Sequence, residues 1–178
     1  MNPNKNFMNN SLKFRAIKLI PLLFLFLSIE TNLHAQSSKT SELNIYSLDS
    51  YITSVSKNSD LATRLKKLVY ELNSSIYFYE GNTKIFGENP ACLFTDINGF
   101  NNLFKQDMPK KEIELITIRV ENIQDFKVNI DFKNISAFPK LKYIYILTTF
   151  DYNINSIPKS IINNNDSHVV VFKSEKGA

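Results

Sequence analysis

Cysteine occurs once in this 178-residue chain, histidine twice, glycine four times and tryptophan not at all. One cysteine excludes a disulfide framework and any cysteine-rich zinc site. With His34 inside a leader described below, Cys92 and His168 are the only cysteine and histidine left. A single Cys/His dyad is then all the thiol chemistry available. Four glycines leave little for a phosphate cradle, and neither the P-loop spacing nor the dinucleotide fingerprint occurs. No apolar run approaches the roughly 20 residues that span a bilayer. Surplus charge is scarce as well. The net charge of +4 comes mostly from residues 1–35, where Lys5, Lys13, Arg15 and Lys18 face only Glu30. The rest holds 17 basic and 16 acidic residues. That balance gives no clustered positive footprint, so nucleic acid is not an expected partner.

What is present begins with a leader. Residues 1–35 read as a signal peptide: a basic start, an apolar run Leu19-Ile20-Pro21-Leu22-Leu23-Phe24-Leu25-Phe26-Leu27, then small Ala35 before Gln36. Met8 offers an alternative start. Cleavage after Ala35 would export the remainder to the periplasm or the extracellular space with no stable membrane span. Residues 36–178 are expected to form a single globular domain. Within it, residues 36–80 read as a helical N-terminal cap, 81–112 as a connecting segment, and 113–178 as repeat-like parallel strands.

The helix is the clearest early element. Asp60 is a candidate N-cap, and Leu61, Leu65, Leu68, Val69 and Leu72 recur at helical spacing. Tyr46 to Ser56 is ambiguous. Ile76 to Tyr79 reads as a strand, and residues 91–105 as loosely helical. From Ile113 onward the period changes to two. Ile116, Ile118 and Val120 alternate with Leu115, Thr117 and Arg119; Ile144 and Ile146 alternate with Tyr143, Tyr145 and Leu147. Val169-Val170-Val171-Phe172 is a third β-branched run. Separations this long permit parallel strands, whereas hairpins need only a few residues. The expected fold class is α/β, a short parallel β-sheet with an N-terminal helix; another parallel arrangement and α+β are the alternatives.

Residues 135–146 resemble a leucine-rich repeat. Ile135, Phe138, Leu141, Ile144 and Ile146 fill the family's five apolar slots at its spacing, and Ile113, Ile116 and Ile118 repeat the end of the pattern. Ile154, Ile157, Pro158 and Ile161 look like the family's convex segment. The resemblance covers about residues 113–172 and departs from the family at the asparagine ladder. Glu121, Thr149 and Ser174 stand where the family has asparagine. It implies stacked parallel strands, with Phe172 on an exposed last edge.

Chemistry-bearing residues are few. Nothing around Cys92 resembles a nucleophile setting, and buried cysteine commonly serves as a small hydrophobe. His168 has no partners at metal-ligand spacing. Asp49, Asp60, Asp125 and Asp131 are explained by helix capping or solvation. Asn73, Asn134 and Asn165 begin Asn-x-Ser/Thr triplets, but at a frequency that chance provides. No catalytic residue, metal ligand or cofactor is therefore expected, and the chain is not read as an enzyme.

Stacking the three strands puts Ile116/Ile118, Ile144/Ile146 and Val169/Val171 on one buried face. The opposite face then carries Thr117, Tyr145 and Val170; Leu115, Tyr143 and His168; and Arg119, Leu147 and Phe172. Solenoids bind through this face, and tyrosine beside arginine is enriched in binding hot spots. Arg119, Tyr143 and Tyr145 are accordingly the candidate binding residues of a non-enzymatic module for a protein or glycan partner. On that reading Tyr145 contributes to binding and little to stability. The competing arrangement has a helix over this face and the rows in the core. A structural or stress-related envelope protein and a small exported hydrolase are the remaining functional alternatives.

Overall fold

The computed structural model describes residues 43–57, 59–164 and 167–175. The leader expectation and the start of the Asn165 triplet lie outside them. Strands β1 (Ile45–Ser47), β2 (Ser75–Tyr79), β3 (Asn82–Phe86), β4 (Cys92–Asp96), β5 (Leu115–Val120), β7 (Tyr143–Thr148) and β9 (Val169–Ser174) form one sheet. Its order is β1-β9-β7-β5-β4-β2-β3, and every pairing is parallel except the β2–β3 hairpin. Helices α1 (Leu48–Ser54) and α2 (Ser59–Tyr70) separate β1 from β2, and α3 (Ile97–Asn102) follows β4. The fold is α/β, built on a mostly parallel sheet.

The chain advances strand by strand from β2 towards β1. Leu93, Ile116, Ile144 and Val170 stand side by side on β4, β5, β7 and β9, separated by 23, 28 and 26 residues. The connections stack too. Strands β6 (Ile130–Asp131) and β8 (Ile161–Ile162) pair in parallel as a second small sheet, placing Ile130 beside Ile161. Between the two sheets lies the larger core, which includes Phe78, Phe100, Phe132, Phe138, Ile116 and Ile144. Ring contacts tie successive connections: Phe100 to Phe132 at 5.7 Å, Phe104 to Phe138 at 5.9 Å, and Phe126 stacked on Tyr152 at 4.4 Å.

Several expectations give way here. Strand β9 is shifted by one residue: Val170 and Phe172 pair with Ile144 and Ile146, so Val169 and Val171 join Tyr143 and Tyr145 on the other face. The run Val169-Val170-Val171-Phe172 has no alternation, so its facing is set by packing on both sides. Nor is β9 an edge, because β1 pairs with it in parallel, Tyr46 against Val171. Residues 81–112 are not a connection but hold β3, β4 and α3. The apolar residues Leu93 and Phe94 belong to β4 rather than to a helix. The stripe on α2 is narrower than its spacing suggests. Leu65 and Leu68 are buried, Leu61 is exposed, and Leu72 lies beyond the helix end, fully exposed.

At the Asn-ladder positions, hydroxyls stand in. Thr149 Oγ1 donates to the Glu121 carbonyl at 3.4 Å, and Ser174 Oγ donates to the Phe150 carbonyl and meets Thr148 Oγ1, outside the ladder, at 3.0 Å; Glu121 supplies no hydroxyl. Asp125 and Asp131 act as sequence alone suggests, whereas Asp60 is not an N-cap but sits inside the first turn of α2, because the helix already includes Ser59. Asp125 accepts from the Asn122 N–H in a capping box, and Asp131 accepts from the Lys133 N–H at 2.9 Å and the Asn163 amide at 2.7 Å.

An ion cluster fastens α2 to the sheet. Glu114 accepts from Arg64 at 2.5 and 3.3 Å and from Lys142 at 3.2 Å. The Arg64 hydrogen bond, with help from Lys142, holds the Glu114 carboxyl below its ordinary value against the opposing effect of burial. A carboxyl depressed by folding stabilises above its unfolded pKa, and that contribution fades as pH falls through the folded value. Glu114→Gln is therefore expected to cost about 1 kcal/mol near neutrality, since Arg64 and Lys142 are partly solvated. Urea midpoints of variant and parent should converge as pH falls below the lowered folded pKa of Glu114, and a gap that stayed constant down the whole acid limb would refute the ionic origin.

Candidate functional site

The parallel sheet has two faces, and α1 and α2 cover only part of the second. Leu48 and Ile52 from α1 and Leu65 and Leu68 from α2 form a core with Cys92, Leu115, Tyr143, Tyr145 and Val171. Tyr143 and Tyr145 are thus 3% and 5% exposed, and the Tyr51 ring meets Tyr143 edge-on at 6.3 Å. Burial pushes both phenols above their ordinary value. The expected binding face is closed over these two tyrosines, and their sequence-based assignment is corrected to core. Thr117, beside Tyr145, is buried with them. Alternation places Tyr143 and Tyr145 on this face. It gives no sign that a helix encoded some 80 residues earlier, roughly as far from Tyr143 as Leu65 is, covers it.

Arg119 escapes this cover. It sits near the carboxyl end of β5 with its side chain about half exposed, bound to Glu121 at 3.0 Å. There it lines a cleft of about 350 Å³ with Tyr79, Asp96, Glu121 and Asp125. The cleft lies where open α/β sheets commonly take ligands, outside the carboxyl ends of the strands. Its carboxylates are engaged in local structure. Asp96 caps α3 by accepting from the Gly99 N–H at 2.6 Å, and Asp125 is held in its capping box. Burial raises the Tyr79 phenol, with Arg119 opposing.

Cys92 and His168 do not form a dyad. Cys92 aligns with Leu115, Tyr143 and Val169 across three strand spacings, and His168 directly precedes Val169. That separation is about 14 Å, far beyond proton-transfer reach. Cys92 is fully buried, donates to the Leu68 carbonyl at 3.5 Å, and is pushed up to about 11 by burial. It is a packed hydrophobe, not a poised thiolate. Burial also lowers His168 from its ordinary value.

The uncovered part of the second face carries what the sequence reading missed. Among the described residues, no helix covers β2 and β3 beyond α2, although Ser75 at the start of β2 is buried. Tyr77 stacks on Phe94 at 4.8 Å with the rings 17° apart, and Phe86 meets Tyr77 edge-on at 5.5 Å. Tyr77 and Phe86 remain 39% and 57% exposed. The parallel register sets Tyr77 beside Phe94, and the hairpin brings Phe86 to its diagonal. A groove of about 920 Å³ runs along this row, bounded by Leu72, Asn73, Tyr79 and Lys84. Tyr79 and Glu80 line both groove and cleft. The turn there has positive φ at both Glu80 and Gly81, the two-residue form that suits strand twist. The readable signal was the alternation of Tyr77 and Tyr79 with buried Ile76 and Phe78.

Compared with models of known protein families, with curated proteins and with solved structures, the chain matches none of them.

Proposed function

We propose that this chain is an exported, non-enzymatic interaction module that binds a protein partner through the bare β2–β3 end of its sheet. The carrying observation is the aromatic row of half-buried Phe94 and exposed Tyr77 and Phe86 beside the β3 edge of the described sheet. Aromatic side chains at a partly uncovered surface supply large contact area at small ordering cost, which is why they dominate interface hot spots. Arg119 keeps its expected role at the far end of this surface, where it flanks Tyr79. Export rests on the basic and apolar leader of residues 1–35. The regular 23-, 28- and 26-residue advance of the strands supports the leucine-rich-repeat resemblance over residues 113–172, with the helices covering the face that such repeats leave open.

A photo-reactive phenylalanine analogue tests this reading when placed at Phe86 in one variant and at Ile123 in another. Both positions are more than half exposed, and Ile123 lies in the connection after β5. In the cells that produce the protein, a discrete cross-linked adduct is expected from position 86, weak or absent from position 123, and lost on adding Tyr77→Ala. Equal adducts from both positions, or none from position 86, would refute the reading.

A further inference from the structure

Resting on that reading of the β2–β3 end, we infer that the partner supplies an extended peptide segment that adds to β3 as a further strand, with a carboxylate opposite Lys84 and apolar side chains opposite Ile85 and Phe86. Strand β3 is the sheet's outer edge, and all five of its residues are exposed. Its inner side bonds β2 in register from Ser75–Phe86 to Tyr79–Asn82. Alternate backbone N–H and C=O groups of an edge strand face outward, which is the template that strand addition uses. The other edge, β1, is only three residues long and runs straight into α1.

Side chains on β3 specify what would fit. Phe86, Lys84 and Asn82 lie on the aromatic face beside Ser75, Tyr77 and Tyr79; Ile85 and Thr83 lie on the other. Ile85 and Phe86 are 48% and 57% exposed, so an added strand meets an apolar neighbour on each face. Lys84 is the only charge on β3 and, like Lys105, Lys127 and Lys133 elsewhere, has no ion-pair partner among the described residues, so it is free to meet a charge on an added strand. Opposite charges directly across strands attract and like charges repel. The same rule weighs against a second copy of this chain. Full-length antiparallel pairing of β3 with itself sets Lys84 opposite Lys84, and a lysine at mid-edge is a known guard against such pairing. The edge therefore refuses its own copy and selects a strand of acidic-in-apolar pattern.

The test uses a capped peptide, Val-Val-Glu-Val-Val flanked by Gly-Ser, which sets valine opposite Ile85 and Phe86 in either strand direction. Its counterpart has lysine in place of the central glutamate. Binding to the protein as purified from the cells that produce it is read by fluorescence anisotropy, and its location by amide hydrogen exchange. The glutamate peptide is expected to bind and to protect β3 amides, and the lysine peptide to bind about tenfold more weakly. Lys84→Glu should reverse that order while leaving the unfolding midpoint unchanged. Indifference to the central charge in both proteins, or binding without protection of β3, would overturn the inference. So would a concentration-dependent dimer that protects β3 in the absence of peptide. If neither peptide binds but adducts from position 86 persist and depend on Tyr77, the strand-addition inference fails and the interaction module stands. If both signals are missing, both fail.

Discussion

Tyr145→Ala is expected to lower the stability of the domain by about 3–5 kcal/mol, the range for removing a large buried aromatic. Tyr145 lies on β7, near the middle of the sheet, between Thr117 on β5 and Val171 on β9. It is 5% exposed in a core closed by Leu48, Ile52, Leu65 and Leu68. Those helices reach the sheet from a distant part of the chain, so the cavity cannot close by a local adjustment alone. Tyr77 is the matched comparison. It is also a tyrosine on a parallel strand and on the same face, but 39% exposed and past the edge of the helical cover. Tyr77→Ala should cost about 1–2 kcal/mol, the value of two partly solvated ring contacts with Phe94 and Phe86. Urea unfolding of the two variants side by side checks the difference. Similar losses for both would mean that the helices do not divide this face into a buried and an open half.

The elements that could be read from sequence are those whose own side chains carry the information. Ile116 and Ile118, like Ile144 and Ile146, alternate cleanly because one face of β5 and β7 packs on aromatic-rich connections. Their parallel pairing followed from connections too long for hairpins, and the register found on β5 and β7 is the one their alternation implies. Legibility failed where the deciding contact lies far away. Leu115, Tyr143 and Leu147 look like one row of a binding face until α1 and α2 are placed on it. The valine run of β9 has two apolar faces and so no period to read. Strand β1 is three residues long, and only its pairing with β9 distinguishes it from the start of α1. The candidate surface was hidden for the opposite reason. Tyr77 and Phe86 are ordinary strand residues in sequence; they become a site because α2 ends at Tyr70 and leaves them uncovered. The exposure of Arg119 was legible because a charged residue at a strand terminus needs no distant contact to stay in water.

The junction beneath the candidate cleft should be the least tolerant of added atoms. Gly99, in α3, packs so closely that a Cβ there would collide with Thr95 Oγ1 and stand only 3.0 Å from the Phe78 carbonyl and 3.2 Å from Asp96 Oδ1. Thr95 Oγ1 is fully buried and donates to that same carbonyl at 2.7 Å. One small residue thus lets α3 lie against β2 and β4 at the point where Asp96 caps the helix. Gly99→Ala is expected to cost about 2–4 kcal/mol, combining overpacking with displacement of a buried hydrogen bond. The cause can be separated from any change in helix propensity, which by itself would favour alanine. Thr95→Ala removes the first obstacle and the hydrogen bond together. If the clash with Thr95 dominates, the double variant should lose less stability than the sum of the single losses, by about 1 kcal/mol or more. Strict additivity would place the cost in the backbone approach to Phe78 instead. Because Tyr79 and Asp96 directly follow the two residues wedged here, loss of this packing should also loosen the cleft. Hydrogen exchange at the Gly99 amide, whose bond to Asp96 Oδ1 fixes the start of α3, would report that loosening directly.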